Sequence, residues 1–312
     1  MLMLGFLLFA LPDLADAQSP SPVGQWGVFG GGAGQFRYPR GVAVGPTGDV
    51  YVADTENHRV QHFTAVGAFV KQWGQFGTEG YQFRSPYGIG VGSDGSVYVA
   101  DTGNYLLKKF NDYGALVWSY GGFLNRFRTM AGVGVAPSGV VLASVPSNNL
   151  IQKVSQDGDY LGYVTAGFGS IDYPTGIAMT ANGDVFVAEQ FKHRVTRLSA
   201  GGTVLGRWGV FGTANGQFQQ PIGVAIDRAG LVHVLECAGN RVQVFTQDGT
   251  YVSQWGSFGA GAGQFHNPMG IAIAPSGDVY IADTENCRIQ RFSQVPTPTT
   301  RSSWSRVKQL YR

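Results

Sequence analysis

The sequence predicts an all-β protein in the form of a six-bladed β-propeller with four strands in each blade. Glycine is abundant, at 47 of 312 residues, and only 13% of the residues are charged, a composition that favours short strands and tight turns over helices. A strand-turn-strand string also recurs, because "VYVADTENHRVQHF" at 50–63 returns almost unchanged as "VYIADTENCRIQRF" at 279–292. Repeats of about 40–50 residues are typical of propellers, whose units bury their faces only against neighbouring units.

The repeat occurs six times along the chain. Each copy follows a glycine-led segment such as "GVAV", and these glycines are separated by 47, 44, 44, 47 and 47 residues: Gly41, Gly88, Gly132, Gly176, Gly223 and Gly270. Within each unit, apolar and polar residues alternate with period two in four short runs that are separated by turn residues. This alternation indicates four strands per unit.

The N-terminal segment is predicted to close the ring. The sixth unit stops after its third strand, "CRIQRFSQ". The segment "VGQWG" at 23–27 matches the fourth strand of other units, such as "VKQWG" at 70–74. We therefore expect this segment to be the outer strand of the last blade.

The two ends of the chain lie outside the repeats. Residues 1–17 are an apolar run followed by the small-x-small sequence Ala15-Asp16-Ala17, which predicts a signal peptide even though no basic residue precedes the run. We expect the propeller over residues 18–294, and a linker with a short basic tail over residues 295–312. The tail is either a frayed terminus or a sorting or docking signal. The protein is predicted to be an exported monomer, whether secreted, periplasmic or on the cell surface.

Charge and apolar runs exclude two classes of partner. The chain has 22 bases and 20 acids; four of the bases lie in the tail and two of the acids in the leader, so the body carries 18 of each. A neutral body argues against a nucleic-acid surface, which needs many phosphate contacts. After the leader, no apolar run approaches the ~20 residues that a membrane span requires.

The two cysteines, Cys237 and Cys287, occupy different places in the repeat. Two free thiols are therefore expected, although a disulfide in an oxidising compartment remains open. Two cysteines alone cannot form a zinc site.

In four units an acidic residue precedes an arginine by five positions. This spacing predicts structural ion pairs across the tight turn between the second and third strands. The pairs are Asp54/Arg59, Glu189/Arg194, Glu236/Arg241 and Asp283/Arg288.

Units two and three break the symmetry of the repeat. Asp101 has Leu106 where the arginine is expected, and Ser144 has Leu150, with one inserted residue. The connecting loops are also shorter here, at twelve and thirteen steps from the aromatic residue to the glycine, against fifteen elsewhere. Broken symmetry of this kind indicates either drift or a functional site.

We therefore predict a ligand-binding rim around the central channel, biased toward blades one to three. The unpaired carboxylate of Asp101 is expected to orient a polar ligand or a basic group of a partner, beside tyrosine and arginine anchors. The candidate residues are Arg40, Tyr87, Asp101, Tyr105, Arg126 and Arg128.

The repeated pattern, a glycine-led strand, then "VYVAD", an asparagine, an arginine and a phenylalanine, resembles the NHL repeat over roughly residues 23–294. The resemblance implies a six-bladed propeller. It implies less about activity, because function resides in sites grafted onto folds.

Some NHL-like propellers are enzymes, such as the peptidyl-amidating lyases, which bind zinc through histidines that converge on the channel. In this sequence the positions that enter the channel carry no histidine, and His58 and His193 lie three blades apart, too far to share a metal ion. No catalytic residue, metal site or cofactor is predicted, although calcium held by carbonyls in the channel remains open. The favoured function is an exported scaffold that binds a protein, peptide or glycan. The alternative is a metal-dependent lyase or hydrolase with its site at the channel mouth.

Overall fold

A computed structural model describes residues 20–121, 130–164 and 171–293. These residues form six four-stranded antiparallel sheets arranged as a β-propeller, so the predicted fold class is confirmed. The predicted leader and tail, residues 1–17 and 295–312, lie outside the described residues. Within the described ranges, no helix is both long and apolar enough to cross a membrane.

The strands follow the predicted order from the inner to the outer edge of each blade. The N-terminal strand is β1 (Ser21–Trp26). Blade one contains β2 (Pro39–Val44), β3 (Val50–Asp54), β4 (Arg59–Phe63) and β5 (Phe69–Trp73). Blade two contains β6 (Pro86–Val91), β7 (Val97–Asp101), β8 (Leu106–Phe110) and β9 (Leu116–Gly121). Blade three contains β10 (Val133–Val135), β11 (Val141–Val145), β12 (Leu150–Val154) and β13 (Tyr160–Val164).

The second half of the ring repeats this plan. Blade four contains β14 (Pro174–Met179), β15 (Val185–Glu189), β16 (Arg194–Leu198) and β17 (Val204–Trp208). Blade five contains β18 (Pro221–Ile226), β19 (Val232–Glu236), β20 (Arg241–Phe245) and β21 (Tyr251–Trp255). Blade six contains β24 (Gly270–Ile273), β25 (Val279–Asp283) and β26 (Arg288–Ser293), and a short parallel pair, β22 (Ser257–Phe258) with β23 (Gln264–Phe265), precedes it. Short 3-10 turns span Thr55–Asn57, Thr102–Asn104, Pro146–Asn148 and Gln190–Lys192.

Strand β1 closes the ring as predicted. It pairs antiparallel with β26, with Gln25 opposite Gln290 and Trp26 opposite Ile289. Trp26 also reaches blade one, where a Cβ at Gly67 would lie 2.5 Å from its ring. The first and last blades are thereby joined through both backbone pairing and side-chain packing.

Each repeat glycine lies where neighbouring inner strands approach closely. A Cβ at Gly88 would lie 2.1 Å from the carbonyl oxygen of Ala131, and a Cβ at Gly41 would lie 2.3 Å from that of Tyr87. No other residue fits at these distances, which explains why glycine begins each inner strand. The six inner strands therefore line a narrow central channel.

The strand directions define two faces of the ring. The linker face carries the connections between blades and the turns between second and third strands. The turn face carries the turns between first and second strands and between third and fourth strands. The predicted site residues within the described ranges belong to the linker face.

Candidate binding site on the linker face

A buried carboxylate organises each of the paired blades, as Asp54 shows. Its Oδ1 accepts a hydrogen bond from the Arg37 backbone N–H at 2.8 Å, and its Oδ2 accepts bonds from Arg59 Nε at 2.7 Å and Asn57 Nδ2 at 2.9 Å. Asp54 has no solvent exposure. Burial raises the pKa of the Asp54 carboxyl, while these hydrogen bonds oppose the rise. The charge is therefore held at a desolvation cost that its donors offset.

The arginine fastens the linker that precedes its blade. Arg59 donates from Nη2 to the carbonyl oxygens of Gly32 at 2.7 Å and Gln35 at 2.8 Å, and from Nη1 to that of Gly31 at 2.8 Å. One cation thus ties the strand-two carboxylate to the linker backbone. We call this arrangement the clasp.

The structure brings together all four predicted pairs. Arg288 Nε lies 2.7 Å from Asp283 Oδ2, and Arg241 Nε lies 2.6 Å from Glu236 Oε1. Arg194 donates two hydrogen bonds to Glu189, from Nε at 2.9 Å and from Nη2 at 2.8 Å. All four carboxylates are fully buried, as a role in the architecture requires.

The expectation that Asp101 lacks a cation is wrong. Lys108 Nζ lies 2.8 Å from Asp101 Oδ2, and both side chains are fully buried. Lys108 lies two residues beyond Leu106 on β8, so the period-two alternation keeps it on the same face of the strand. Blade two therefore keeps its clasp with the cation moved along the strand, and Asp101 is not available to orient a ligand.

The predicted alignment of blade three is also wrong. Val145, rather than Ser144, occupies the acid position, because Val145 pairs with Leu150 as Asp54 pairs with Arg59. No residue is inserted in this turn. Blade three therefore replaces the ion pair with an apolar pair. Ser144 Oγ instead donates to the Thr175 carbonyl oxygen at 2.6 Å, which links blades three and four.

The paired histidines are bridges between blades. His58 and His193 are in the left-handed backbone conformation at the end of the 3-10 turn, with φ of 54° and 52°. Nδ1 of each accepts a hydrogen bond at 3.1 Å from a backbone N–H just before the next inner strand, that of Ser85 and of Gln220 respectively. Asn149 makes the same bridge to the N–H of Tyr173. These histidines serve the ring in the same way as an asparagine.

The channel opens on the linker face between the residues that precede the repeat glycines. It encloses about 70 Å³, and its mouth is formed by Arg40, Tyr87, Ala131, Thr175, Ile222 and Met269. Each of these residues directly precedes one of the six repeat glycines. Among the described residues, no acidic side chain lines this end of the channel.

The polar groups of the mouth lie on one side of it. The guanidinium carbon of Arg40 lies 5.0 Å from the centroid of the Tyr87 ring, and the Tyr87 hydroxyl lies 3.9 Å from the Met269 sulfur. Burial raises the pKa of Tyr87 to about 12, so the hydroxyl stays protonated at physiological pH. The mouth therefore presents a cation and a neutral hydroxyl beside apolar or small neighbours.

Only part of the predicted rim is assembled at this mouth. Arg40 and Tyr87 line it. Asp101 is buried in its clasp, and Tyr105 packs against the apolar cluster that blades two and three share. Arg126 and Arg128 lie outside the described residues.

Sequence reasoning missed a set of exposed phenylalanines on this face. Each of the four long linkers contains two phenylalanines joined by a parallel bridge, as in Phe29 with Phe36. The second of each pair is fully buried, whereas the first is 62–67% exposed. The exposed residues, which we call the phenylalanine arc, are Phe29, Phe76, Phe211 and Phe258. Their linkers precede blades one, two, five and six, so the arc is continuous around two thirds of the ring.

A basic or imidazole side chain supports each ring of the arc. The Arg37 guanidinium carbon lies 5.3 Å from the Phe29 centroid, and the His58 ring lies 5.0 Å from Phe76. His193 lies 4.9 Å from Phe211, and His266 lies 5.1 Å from Phe258. One side of each ring is therefore held by the protein, while much of the rest faces solvent. The spacing of two phenylalanines in each linker was visible in the sequence, but not which of them is exposed.

The thiols and acids form no metal centre in the described ranges. Cys237 and Cys287 are free and buried, and burial raises the pKa of both thiols. Among the described residues, no group of three or more His, Cys, Asp or Glu side chains could hold a metal ion.

The chain matches the family model for the NHL repeat at residues 36–63, 83–110 and 265–292. These segments belong to blades one, two and six, which are consecutive in the closed ring.

The matching curated relatives are much longer than the aligned region. The B-box type zinc finger protein ncl-1 of Caenorhabditis elegans is 53% identical over 45 residues, which are 14% of this chain and 5% of that protein. Protein brain tumor of Drosophila melanogaster is 51% identical over 45 residues, which are 14% of this chain and 4% of that protein.

Solved structures share the fold over most of the chain. A gluconolactonase from Xanthomonas campestris has a TM-score of 0.63 at 14% identity, and the match covers 88% of this chain and 97% of that one. Virginiamycin B lyase from Staphylococcus aureus has a TM-score of 0.59 at 14% identity, with 81% and 80% covered. These similarities concern the fold.

Proposed function

Because the chain is an NHL-repeat β-propeller, we propose that it is a binding scaffold whose linker face receives a protein, peptide or glycan ligand. We further propose that it acts as an exported monomer, on the basis of the apolar leader at residues 1–17. The proposal places the ligand on the phenylalanine arc rather than around blade three.

The phenylalanine arc is the observation that carries this proposal. Repeated residues with a structural role in this ring are buried, as the second phenylalanine of each linker and the clasp carboxylates are. The first phenylalanine recurs at the same place in four linkers and yet is mostly exposed. Exposed aromatic side chains that recur on one face are typical of interaction surfaces.

The chemistry of the arc favours apolar and stacking contacts. The polar groups beneath it are already engaged, because the linker carbonyls accept bonds from Arg59 and the carboxylates accept bonds from the linker N–H groups. The rings themselves have few conformational freedoms and large apolar areas. Such residues contribute strongly to binding when a partner covers them.

The test is a screen of the purified protein against glycan and peptide arrays, followed by a comparison of variants. One variant changes all four arc residues to serine. Its matched control changes Tyr113 and Val66, which are 80% and 72% exposed on the turn face, to serine. We expect the arc variant to lose binding by at least about 100-fold, as for several hot-spot residues together, while the control binds normally and both melt like the wild type.

Undiminished binding by a folded arc variant would overturn the proposal. Metal analysis of the same protein tests the enzymatic alternative, since one tightly held transition metal per chain would favour a metal-dependent lyase or hydrolase.

A further inference from the structure

We infer that the channel mouth is a carboxylate-binding subsite in which Arg40 and Tyr87 receive an acidic group of the ligand. The inference rests on the proposed function only in placing the rest of the ligand on the linker face. It reverses the sign expected from the sequence, in which the carboxylate of Asp101 was to receive a basic group.

Arg40 differs from the other arginines that the structure places beneath the linkers. Arg59 and Arg288 each bind a buried carboxylate and several carbonyl oxygens. Arg40 forms no ion pair with a carboxylate of the described residues, and its Nε atom is shielded from solvent without a hydrogen-bond partner. A shielded donor without an acceptor is costly, and a ligand that supplies the acceptor recovers that cost.

Tyr87 provides a second donor with a poor acceptor. Its hydroxyl faces the thioether sulfur of Met269 at 3.9 Å, and sulfur is a weak acceptor. The hydroxyl stays protonated because burial raises its pKa to about 12. The Tyr87 hydroxyl, which accepts a hydrogen bond from the Arg40 side chain, thus donates only to sulfur, and Arg40 Nε has no acceptor.

The mouth selects a small, flat, singly charged acceptor. The channel offers about 70 Å³, room for a few water molecules or a group the size of a carboxylate. Within the described part of the chain, Arg40 is the one charged side chain that lines this linker-face mouth. A carboxylate matches a guanidinium with two parallel hydrogen bonds and a single charge, whereas a phosphate dianion would need further cations.

Binding must move the Arg40 side chain. Because its Nε atom is shielded while the guanidinium lies over the Tyr87 ring, a bidentate carboxylate can reach Nε only when the guanidinium leaves that ring. The motion should be visible in the Nε–H resonance of Arg40, which senses both the ring current of Tyr87 and the new acceptor.

The experiment follows arginine Nε–H resonances of the full chain by NMR during titration with sodium acetate, with sodium chloride at equal ionic strength as the reference. Arg40→Gln assigns the resonance. Arg228, an exposed arginine at the opposite mouth of the channel, is the matched internal control. We expect a saturable shift at Arg40 and none at Arg228. Arg40→Gln should weaken acetate binding at least about tenfold and Tyr87→Phe severalfold, with melting temperatures unchanged.

Further titrations identify the source of the carboxylate. Triglycine against triglycine amide reports a peptide C-terminus, and glucuronate against glucose reports an acidic sugar; phosphate should bind more weakly than acetate. Equal shifts at Arg40 and Arg228, or acetate binding that survives Arg40→Gln, would overturn the inference. The serine variant of the phenylalanine arc should still bind acetate, so loss of the macromolecular ligand with acetate binding retained separates the two proposals.

Discussion

Lys108 shows how a single residue preserves a buried pair when its neighbour changes. In blade two, leucine replaces the clasp arginine and lysine replaces the glutamine two positions later, and Nζ reaches the same carboxylate. The sequence contains this compensation, but only an alternation argument applied to both positions would have found it. The five-residue spacing alone missed it.

Removing the Lys108 cation should lower the free energy of unfolding, and placing a cation at position 106 instead should restore it. Lys108→Ala leaves the fully buried Asp101 carboxylate unpaired, and we expect a loss of about 3–5 kcal/mol in the free energy of unfolding. The double change Leu106→Arg with Lys108→Gln recreates the arrangement of blade one, and it should recover most of that loss in denaturant titrations. A Lys108→Ala variant as stable as the wild type would show that the pair is not structural.

Arg59→Ala and Arg288→Ala remove the clasp cations of blades one and six. We expect a smaller cost of about 1–3 kcal/mol in each, because Gln61 and Gln290, whose position in blade two is occupied by Lys108, still donate to the carboxylate. Ligand binding should be unchanged. Lost binding at unchanged stability would instead make these arginines functional.

His62 should make stability depend on pH. Burial lowers the pKa of this histidine below the 6.5 of a free side chain, although nearby Asp49 opposes the effect. The unfolded chain therefore binds a proton first as pH falls, so this contribution to stability is present above about pH 6.5 and is lost as pH falls through the folded-state pKa. His62→Gln should reduce the fall in melting temperature between about pH 7 and pH 5. The exposed His266→Gln is the control, and equal slopes in wild type and His62→Gln would refute the assignment.

At the scale of an element, strand β1 decides whether the ring is closed. It pairs with β26, and its Gln25 accepts a hydrogen bond from Arg288 Nη1 at 2.9 Å. Without β1, the backbone of β26 would be an unpaired edge. The loss of Trp26 would also remove the side chain that covers Tyr280 and Gly67.

Deleting residues 18–27 should lower the melting temperature markedly or give insoluble protein. The matched control is a circular permutant in which the same segment follows Ser293 through a tight turn, as fourth strands follow third strands in the other blades. This permutant should melt near the wild type. A deletion variant with wild-type stability would place the closure of the ring elsewhere.

Elements were predictable from the sequence where a local pattern determines them. The blades and their closure were predicted from the six repeat glycines, the period-two runs and the missing fourth strand. Each of these patterns fits only one arrangement of strands in a closed ring. The offset in blade three was misread because Ser144 resembles a polar replacement for aspartate, while the backbone register assigns that position to Val145.

The ring divides into two regions, the four blades whose linkers carry the phenylalanine arc and the two, blades three and four, whose linkers do not contribute to it. The long linkers, their exposed phenylalanines and the three matches to the family model occupy consecutive blades of the ring, whereas the apolar pair Val145–Leu150 lies in blade three opposite them. The sequence prediction placed the binding site near blades one to three because the repeat is irregular in blades two and three. We propose instead that the regular linkers, whose first phenylalanines are exposed, form the binding surface. The exposure of these rings and the lack of a partner at Arg40 Nε depend on contacts between blades, which no single repeat encodes.

Hydrogen exchange of the protein with and without the tightest ligand from the array screen tests this division most directly. We predict that protection from exchange appears in linker residues 28–36, 75–83, 210–218 and 257–265 and around Arg40. The turns between third and fourth strands, such as 64–68 and 111–115, should exchange as in the free protein. Protection confined to those turns, with the linkers unchanged, would contradict the assignment of the linker face as the binding surface.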